Sequence, residues 1–277
     1  MPKIIKFFAV AAIFLAGLAN PCLAASAAIV VDGSTTVLPI MQVSAETYMQ
    51  ARPEVFIYIS GGGSGNGIKS LLDGLTDIAM SSRDMTAVEM EAAKAKGINP
   101  VRTVLALDAL VPIVHPSNPV TDISMYQLRD IYAGRIVGWK ALDGPEANIV
   151  VISRESSSGT YRGWSDLVMK GEKIKPGALL QVSSGMVLQI VSGNSKAIGY
   201  LAYGYLNKYV KKMTIDGVEA EYGNIVSGKW PIVHHLYLFT NGEPSGETAA
   251  FINYLIDPDK GQKIIEQQGY IPIKAQQ

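Results

Sequence analysis

VFIYISGGGSGNGIKSLLDGL, residues 55–75, joins a β-branched and aromatic run to a glycine loop and then to a helical pattern. Val55–Ser60 is expected to form a strand and Gly67–Leu75 a helix, the repeating unit of an open parallel sheet. The ending, with Lys69 and Ser70, nearly matches a nucleotide-binding P-loop. That motif needs lysine directly after its last glycine. Ile68 intervenes and turns Lys69 about 100° around the helix, away from the loop. No glycine in the run has partners two and five positions later, so the dinucleotide-binding fingerprint is absent too. What remains is a helix start whose unpaired N–H groups and positive dipole end attract an anion of any kind. A tight flexible turn is the alternative for an isolated glycine cluster.

The same unit recurs on either side. AAIVVD (27–32) precedes a helix with apolar positions at Val37, Ile40, Met41, Ala45, Tyr48 and Met49. DIAMSS (77–82) is the next strand, and a helix rich in Ala, Glu and Lys follows at 87–96. Two long apolar runs stand apart from this rhythm, TVLALDALVPIVHPSNP (103–119) and WPIVHHLYLFT (230–240). Two extended segments so far apart suit a molecule of two lobes joined by two hinge strands. Between them the α/β alternation resumes, and after the second a helix pair broken at Asp257-Pro258 leads to a short closing strand. The expected fold class is α/β, two-lobed, each lobe a mostly parallel sheet flanked by helices. Residues 25–110 and 233–277 are expected to form lobe 1, and residues 111–232 lobe 2.

Three strand-to-helix junctions are rich in Ser, Thr and Gly. They are Gly33-Ser34-Thr35-Thr36, the loop at Gly63-Ser64, and Ser156-Ser157-Ser158-Gly159-Thr160, the last flanked by Arg154 and Arg162. In open α/β sheets such junctions gather at the carboxyl ends of the strands, where ligands bind. One serine-rich helix start is ordinary capping, whereas three with an arginine fork make a cradle for a small oxyanion. Asp77 is a candidate for selectivity. A carboxylate accepting a proton from the anion would favour phosphate by ~1.5–3 kcal/mol and would repel protonless sulfate. A helix cap or an ion pair with Arg83 is its bland alternative.

The chain's N-terminus carries Lys3 and Lys6, an uncharged apolar run at residues 7–19 and small residues at 22–28. This is the layout of a secretory signal peptide, expected to cover residues 1–24, and it implies a periplasmic location. Cys22 is the only cysteine and lies in that leader. Of the chain's 24 Lys and Arg, loss of Lys3 and Lys6 leaves 22 against 24 Asp and Glu. That balance gives no basis for nucleic-acid binding, and no second apolar run suggests a membrane span. His115, His234 and His235 do not space as metal ligands, so no metal or cofactor is expected. Gly-x-Ser-x-Gly is absent around Ser158, and Trp139, Trp164 and Trp230 are expected in the core.

With these residues in hand, the chain resembles the periplasmic phosphate-binding proteins of ABC transporters, which have the type II solute-binding fold. DGSTTVLP, YISGGGSGNGIKSLLDGLTDIAMSSR, ISRESSSGTYR, AIGYLAY and the C-terminal LYLFTNGEPSGETAAFINYLIDPDKGQKIIEQQGYIPI carry the likeness. The resemblance implies capture of inorganic phosphate between the lobes by hinge closure, and delivery to a membrane permease by a monomeric receptor that is not an enzyme. By residue, it implies phosphate contacts from Thr35, Thr36, Ser64, Asp77, Arg154, Ser158, Gly159 and Thr160, with Ser34, Gly63 and Arg162 as further candidates. Asp77 would be the family's proton-accepting aspartate. The family's acidic residue two positions after the arginine is Ser156 here, which leaves Glu155 or another group to orient Arg154. Other tetrahedral oxyanions (sulfate, molybdate, tungstate) and a stand-alone secreted phosphate sensor are the alternatives. An NTPase or a serine hydrolase lacks the spacing it would need.

Overall fold

The computed structural model describes residues 27–273; the expected leader at 1–24 lies outside them. The described residues begin with β1 (Ala27–Gly33), α1 (Leu38–Ala51), β2 (Val55–Gly61), α2 (Ser64–Leu72), β3 (Ile78–Ser81) and α3 (Ala87–Ala95). They continue through β4 (Pro100–Val114), β5 (Asp122–Ile123), α4 (Met125–Ala133), β6 (Val150–Arg154), α5 (Gly159–Trp164), β7 (Leu179–Gln181), α6 (Ser184–Ser192) and β8 (Ala197–Ala202). The remainder is β9 (Lys211–Lys212), β10 (Thr214–Ile215), α7 (Tyr222–Val226), β11 (Val233–Asn241), α8 (Gly246–Ile256), α9 (Gly261–Gln267) and β12 (Ile271–Pro272).

The main sheet runs β2-β1-β3-β11-β4-β8-β6-β7. At one end β2, β1 and β3 are parallel, and at the other β7, β6 and β8 are parallel. Between them β11 and β4 run antiparallel to their neighbours. The apolar run at 103–119 thus falls largely within one 15-residue strand. Its first half pairs with β11 and β12, and its second half with β8 and β9, so a single strand serves both halves of the molecule.

Each half packs helices on both faces of its sheet, which is why its strands read as nearly continuous apolar runs. One half buries Ile29, Val31, Ile40 and Met41 with Phe251 and Leu255 on one face, and Ile68, Leu71 and Phe239 on the other. The second half does the same with Leu128, Tyr132 and Trp164, and with Val187, Val191 and Leu201. Trp139, Trp164 and Trp230 are all buried. This is the two-lobed α/β arrangement expected from the sequence. Local signals set the helix starts: Thr86 with Glu89 and Ser124 with Gln127 each form a reciprocal capping box. The parallel strands of a half point the same way, so their carboxyl ends lie along one edge. The two edges face one another.

Candidate anion-binding site

Along those edges the loops after β1, β2, β3, β6 and β7 converge. Ser34, Thr35, Thr36, Ser64, Ser82, Ser158, Thr160 and Ser184 are all buried there, with Arg154 among them at 1% exposure. Eight hydroxyls around one guanidinium are costly to bury unless each finds a partner. They pair largely with one another, both within one half and across the two. Thr36 Oγ1 lies 2.7 Å from Thr160 Oγ1, and Thr35 Oγ1 lies 3.5 Å from Ser184 Oγ. Ser82 Oγ is 3.2 Å from both Ser34 Oγ and Ser64 Oγ, while its N–H donates to Ser64 Oγ at 3.0 Å. Gly65 N–H donates to Ser157 O at 2.8 Å, closing the glycine loop against the opposite half.

Two glycines are there for space. Gly63 sits at φ +101°, where an L side chain is strained, and a Cβ on it would lie 2.9 Å from Ser157 Oγ. A Cβ on Gly159 would lie 2.4 Å from Ser64 Oγ and 2.5 Å from Ser82 Oγ.

Arg154 ends β6 and reaches across the interface. Its guanidinium donates to Gln181 O at 3.0 Å, Ser184 Oγ at 3.0 Å, and Thr35 Oγ1 and Val182 O at 3.1 Å. Its backbone N–H donates to the phenol of Tyr200 at 3.2 Å. Glu155 does not orient it: that carboxylate accepts from Ser157 Oγ at 2.6 Å. The backbone after β7 takes that part, with Ser184. All four guanidinium partners are neutral oxygens. Burial lowers the guanidinium's pKa from its usual value, opposed by Tyr200, Tyr205 and Glu155, yet at neutral pH it remains a cation. The site is therefore a buried positive charge ringed by hydroxyls that both donate and accept.

Of the residues expected from sequence, Ser34, Thr35, Thr36, Gly63, Ser64, Arg154, Ser158, Gly159 and Thr160 are brought together. Ser158 Oγ also caps α5 by accepting from Tyr161 N–H at 3.2 Å. Asp77 is not in the cluster. It precedes β3, at the amino end of that strand, about 13 Å from the carboxyl end at 3.3 Å per residue. It is exposed, and its Oδ2 accepts from Val30 N–H at 2.8 Å. Neither a salt bridge to Arg83 nor an anion contact occupies it, because Arg83 pairs with Glu89 at 2.7 Å. Arg162 also points away, exposed and paired with Asp166 at 2.8 Å.

Sequence reasoning missed Ser82 and Ser184. Ser82 follows the carboxyl end of the same strand that Asp77 precedes, and Ser184 opens α6 after a strand of only three residues. Two phenols steady the first loop from behind, Tyr205 Oη donating to Thr35 O and Tyr270 Oη to Thr36 O. Among the described residues no group of His, Cys, Asp and Glu could hold a metal ion.

The model of the PBP superfamily domain matches residues 22–259. The phosphate-binding protein PstS of Bacillus subtilis is 34% identical over 250 residues, 90% of this chain and 82% of that protein. That of Borreliella burgdorferi is 32% identical, covering 88% and 90%. The chain belongs to the PstS family. Structures agree: a Clostridium perfringens protein assigned as a phosphate ABC transporter substrate-binding protein, with phosphate bound, superposes with a TM-score of 0.83. It is 33% identical, covering 89% of this chain and 99% of that one. An ABC-type phosphate transport receptor from Vibrio cholerae, also 33% identical, gives 0.70, covering 88% and 99%. PstS-family proteins are substrate-binding proteins rather than enzymes.

Proposed function

We propose that this chain captures inorganic phosphate between its two halves and delivers it to the permease of an ABC transporter. The observation that carries this is Arg154, a buried guanidinium whose hydrogen bonds all go to neutral oxygens. A buried cation without a carboxylate partner calls for an anion, and hydroxyls with helix-start N–H groups suit a small tetrahedral one. The PstS relatives and the phosphate-bound Clostridium structure make that anion phosphate.

Residues 25–110 with 233–277 and residues 111–232 are taken as the lobes, β4 and β11 as the hinge. Phosphate would settle on Ser34–Thr36, Ser64 and Ser82, with Arg154, Ser158–Thr160 and Ser184 closing over it. Residues 1–24 would direct export to the periplasm, and the mature chain would act as a monomer. No described helix is long and apolar enough to cross a membrane. Titration calorimetry of the purified mature chain tests the ligand: tight, saturable phosphate binding is expected, and its absence overturns the proposal.

Protonless tetrahedral anions stand as a second reading on one observation. With Asp77 outside the cluster, no carboxylate among the described residues meets the hydroxyls, and hydroxyls can turn to donate to sulfate. Sulfate, molybdate and tungstate in the same calorimetry decide it.

A further inference from the structure

Asp108 on β4 and His234 on β11 are register partners in the two strands that join the halves. Asp108 is completely buried and is the only buried carboxylate among the described residues. His234 Nε2 lies 2.9 Å from Asp108 Oδ2, and Nδ1 lies 2.8 Å from the carbonyl oxygen of Ser82. Asp108 Oδ1 accepts from Tyr203 N–H at 3.1 Å.

Counting protons on this arrangement is informative. A backbone carbonyl only accepts, so Nδ1 carries a hydrogen. A second proton must lie between Nε2 and Oδ2, whichever atom holds it, since otherwise an imidazole lone pair faces a carboxylate in a buried site. Burial pushes the Asp108 carboxyl up, and the His234 ring opposes that.

The ring also lies between both sides of the anion site, lining one cleft with Ser82 and Gly163. Ser82, whose carbonyl it holds, presents its hydroxyl to Ser34 and Ser64. On the other side, a Cβ added to Gly163 of α5 would sit 3.5 Å from Nδ1. That helix starts with Gly159 and Thr160.

We propose that His234 is a positioning residue for anion capture: through the proton shared with Asp108 it holds Ser82 against α5, and loss of that proton loosens closure. The inference rests on the proposed phosphate capture and adds its regulation. The charged groups facing the ring are compensated. Arg83 pairs with Glu89, Asp84 with Arg102 and Arg162 with Asp166. Tyr237, which shares that cleft, has its phenol pushed up by burial. Tyr205 and Tyr270, near Asp108, are phenols that burial keeps neutral, the first pushed up to about 12. His235 is the next residue on β11. Closure retains the shared proton, so its contribution is complete at low pH and lost as pH rises through the closed form's titration.

Calorimetry of phosphate binding between about pH 6 and about pH 9 tests this on the wild type, D108N and H235Q. Phosphate's own titration is common to all three and cancels in their ratios. In D108N the amide donates to a neutral Nε2 and no shared proton remains. The wild-type affinity relative to D108N is expected to fall about tenfold across the range, one proton's linkage over about one effective pH unit. H235Q is expected to follow the wild type. Should D108N fail to fold, H234Q, which cannot titrate, takes its place with the same expected ratio. A flat ratio overturns the inference, as does H235Q following D108N. A wild-type chain that binds phosphate at no pH overturns the site assignment itself, and this inference with it.

Discussion

Thr36 Oγ1 and Thr160 Oγ1, 124 residues apart in sequence, lie 2.7 Å from one another where the two halves meet. Each lies at the junction after a parallel strand, Thr160 in the first turn of α5, and each hydroxyl finds its partner on the opposite half. Closure therefore completes the hydrogen bonding that burial would otherwise leave unmade. The same inventory of hydroxyls can turn toward an oxyanion, so the closed interface and the proposed binding site are one set of atoms.

Gly159 tests the fit between the halves. A methyl there would lie 2.4 Å from Ser64 Oγ and 2.5 Å from Ser82 Oγ, closer than real Cβ contacts come. Each half keeps its own core, so Gly159→Ala is expected to fold and to hold the lobes apart. Phosphate affinity should fall by at least about tenfold, the worth of roughly 1.4 kcal/mol. Small-angle scattering with phosphate should show a larger radius of gyration than the wild type. A variant that compacts and binds normally would contradict the closure geometry.

Arg154→Met separates ligand binding from folding. Removing one partner of a buried charged contact costs about 3–4 kcal/mol, on the order of a 100- to 1,000-fold loss of phosphate affinity. Without ligand the substitution removes an uncompensated buried cation, so the thermal midpoint should hold steady or rise. The upward shift that phosphate gives the wild type should vanish. Thermal melts with and without phosphate check both halves of the expectation.

Asp77 and Ser82 lie at opposite ends of one strand, and their substitutions should behave oppositely. Asp77→Asn leaves an oxygen to accept from Val30 N–H, so phosphate affinity and sulfate rejection should match the wild type. Ser82→Ala removes the hydroxyl that links Ser34 and Ser64, and should weaken phosphate binding by about 1–2 kcal/mol. Side-by-side calorimetry decides. A selectivity change in Asp77→Asn would show that its distance from the cluster does not matter.

The alternation of strand, polar junction and helix was legible because each junction is local, and so was the gathering of Thr35, Ser64 and Arg154. Strand direction is legible as well: Asp77 offers a charge, yet it opens DIAMSS rather than closing it. Applied to position, the rule that ligands gather at carboxyl ends selects Ser82. Ser184 was hidden by the brevity of β7, three residues with no alternation to detect. What orients Arg154 could not be seen at all, since backbone carbonyls of residues 181 and 182 leave no trace in side-chain identity.

Tyr270 lies almost at the end of the described chain, yet its buried phenol donates to Thr36 O at 2.7 Å. Burial holds that phenol well above its usual pKa, so it stays a donor throughout the neutral range. Tyr270→Phe keeps the ring's packing and leaves a buried carbonyl without its partner, a cost of about 1–3 kcal/mol. Urea unfolding should show that loss as a lower midpoint with an unchanged slope. The phenol meets the loop from behind rather than from the anion's side, so phosphate affinity should weaken less than in Ser82→Ala. A variant as stable as the wild type, but with affinity lost as far as in Arg154→Met, would instead place Tyr270 in direct contact with the anion.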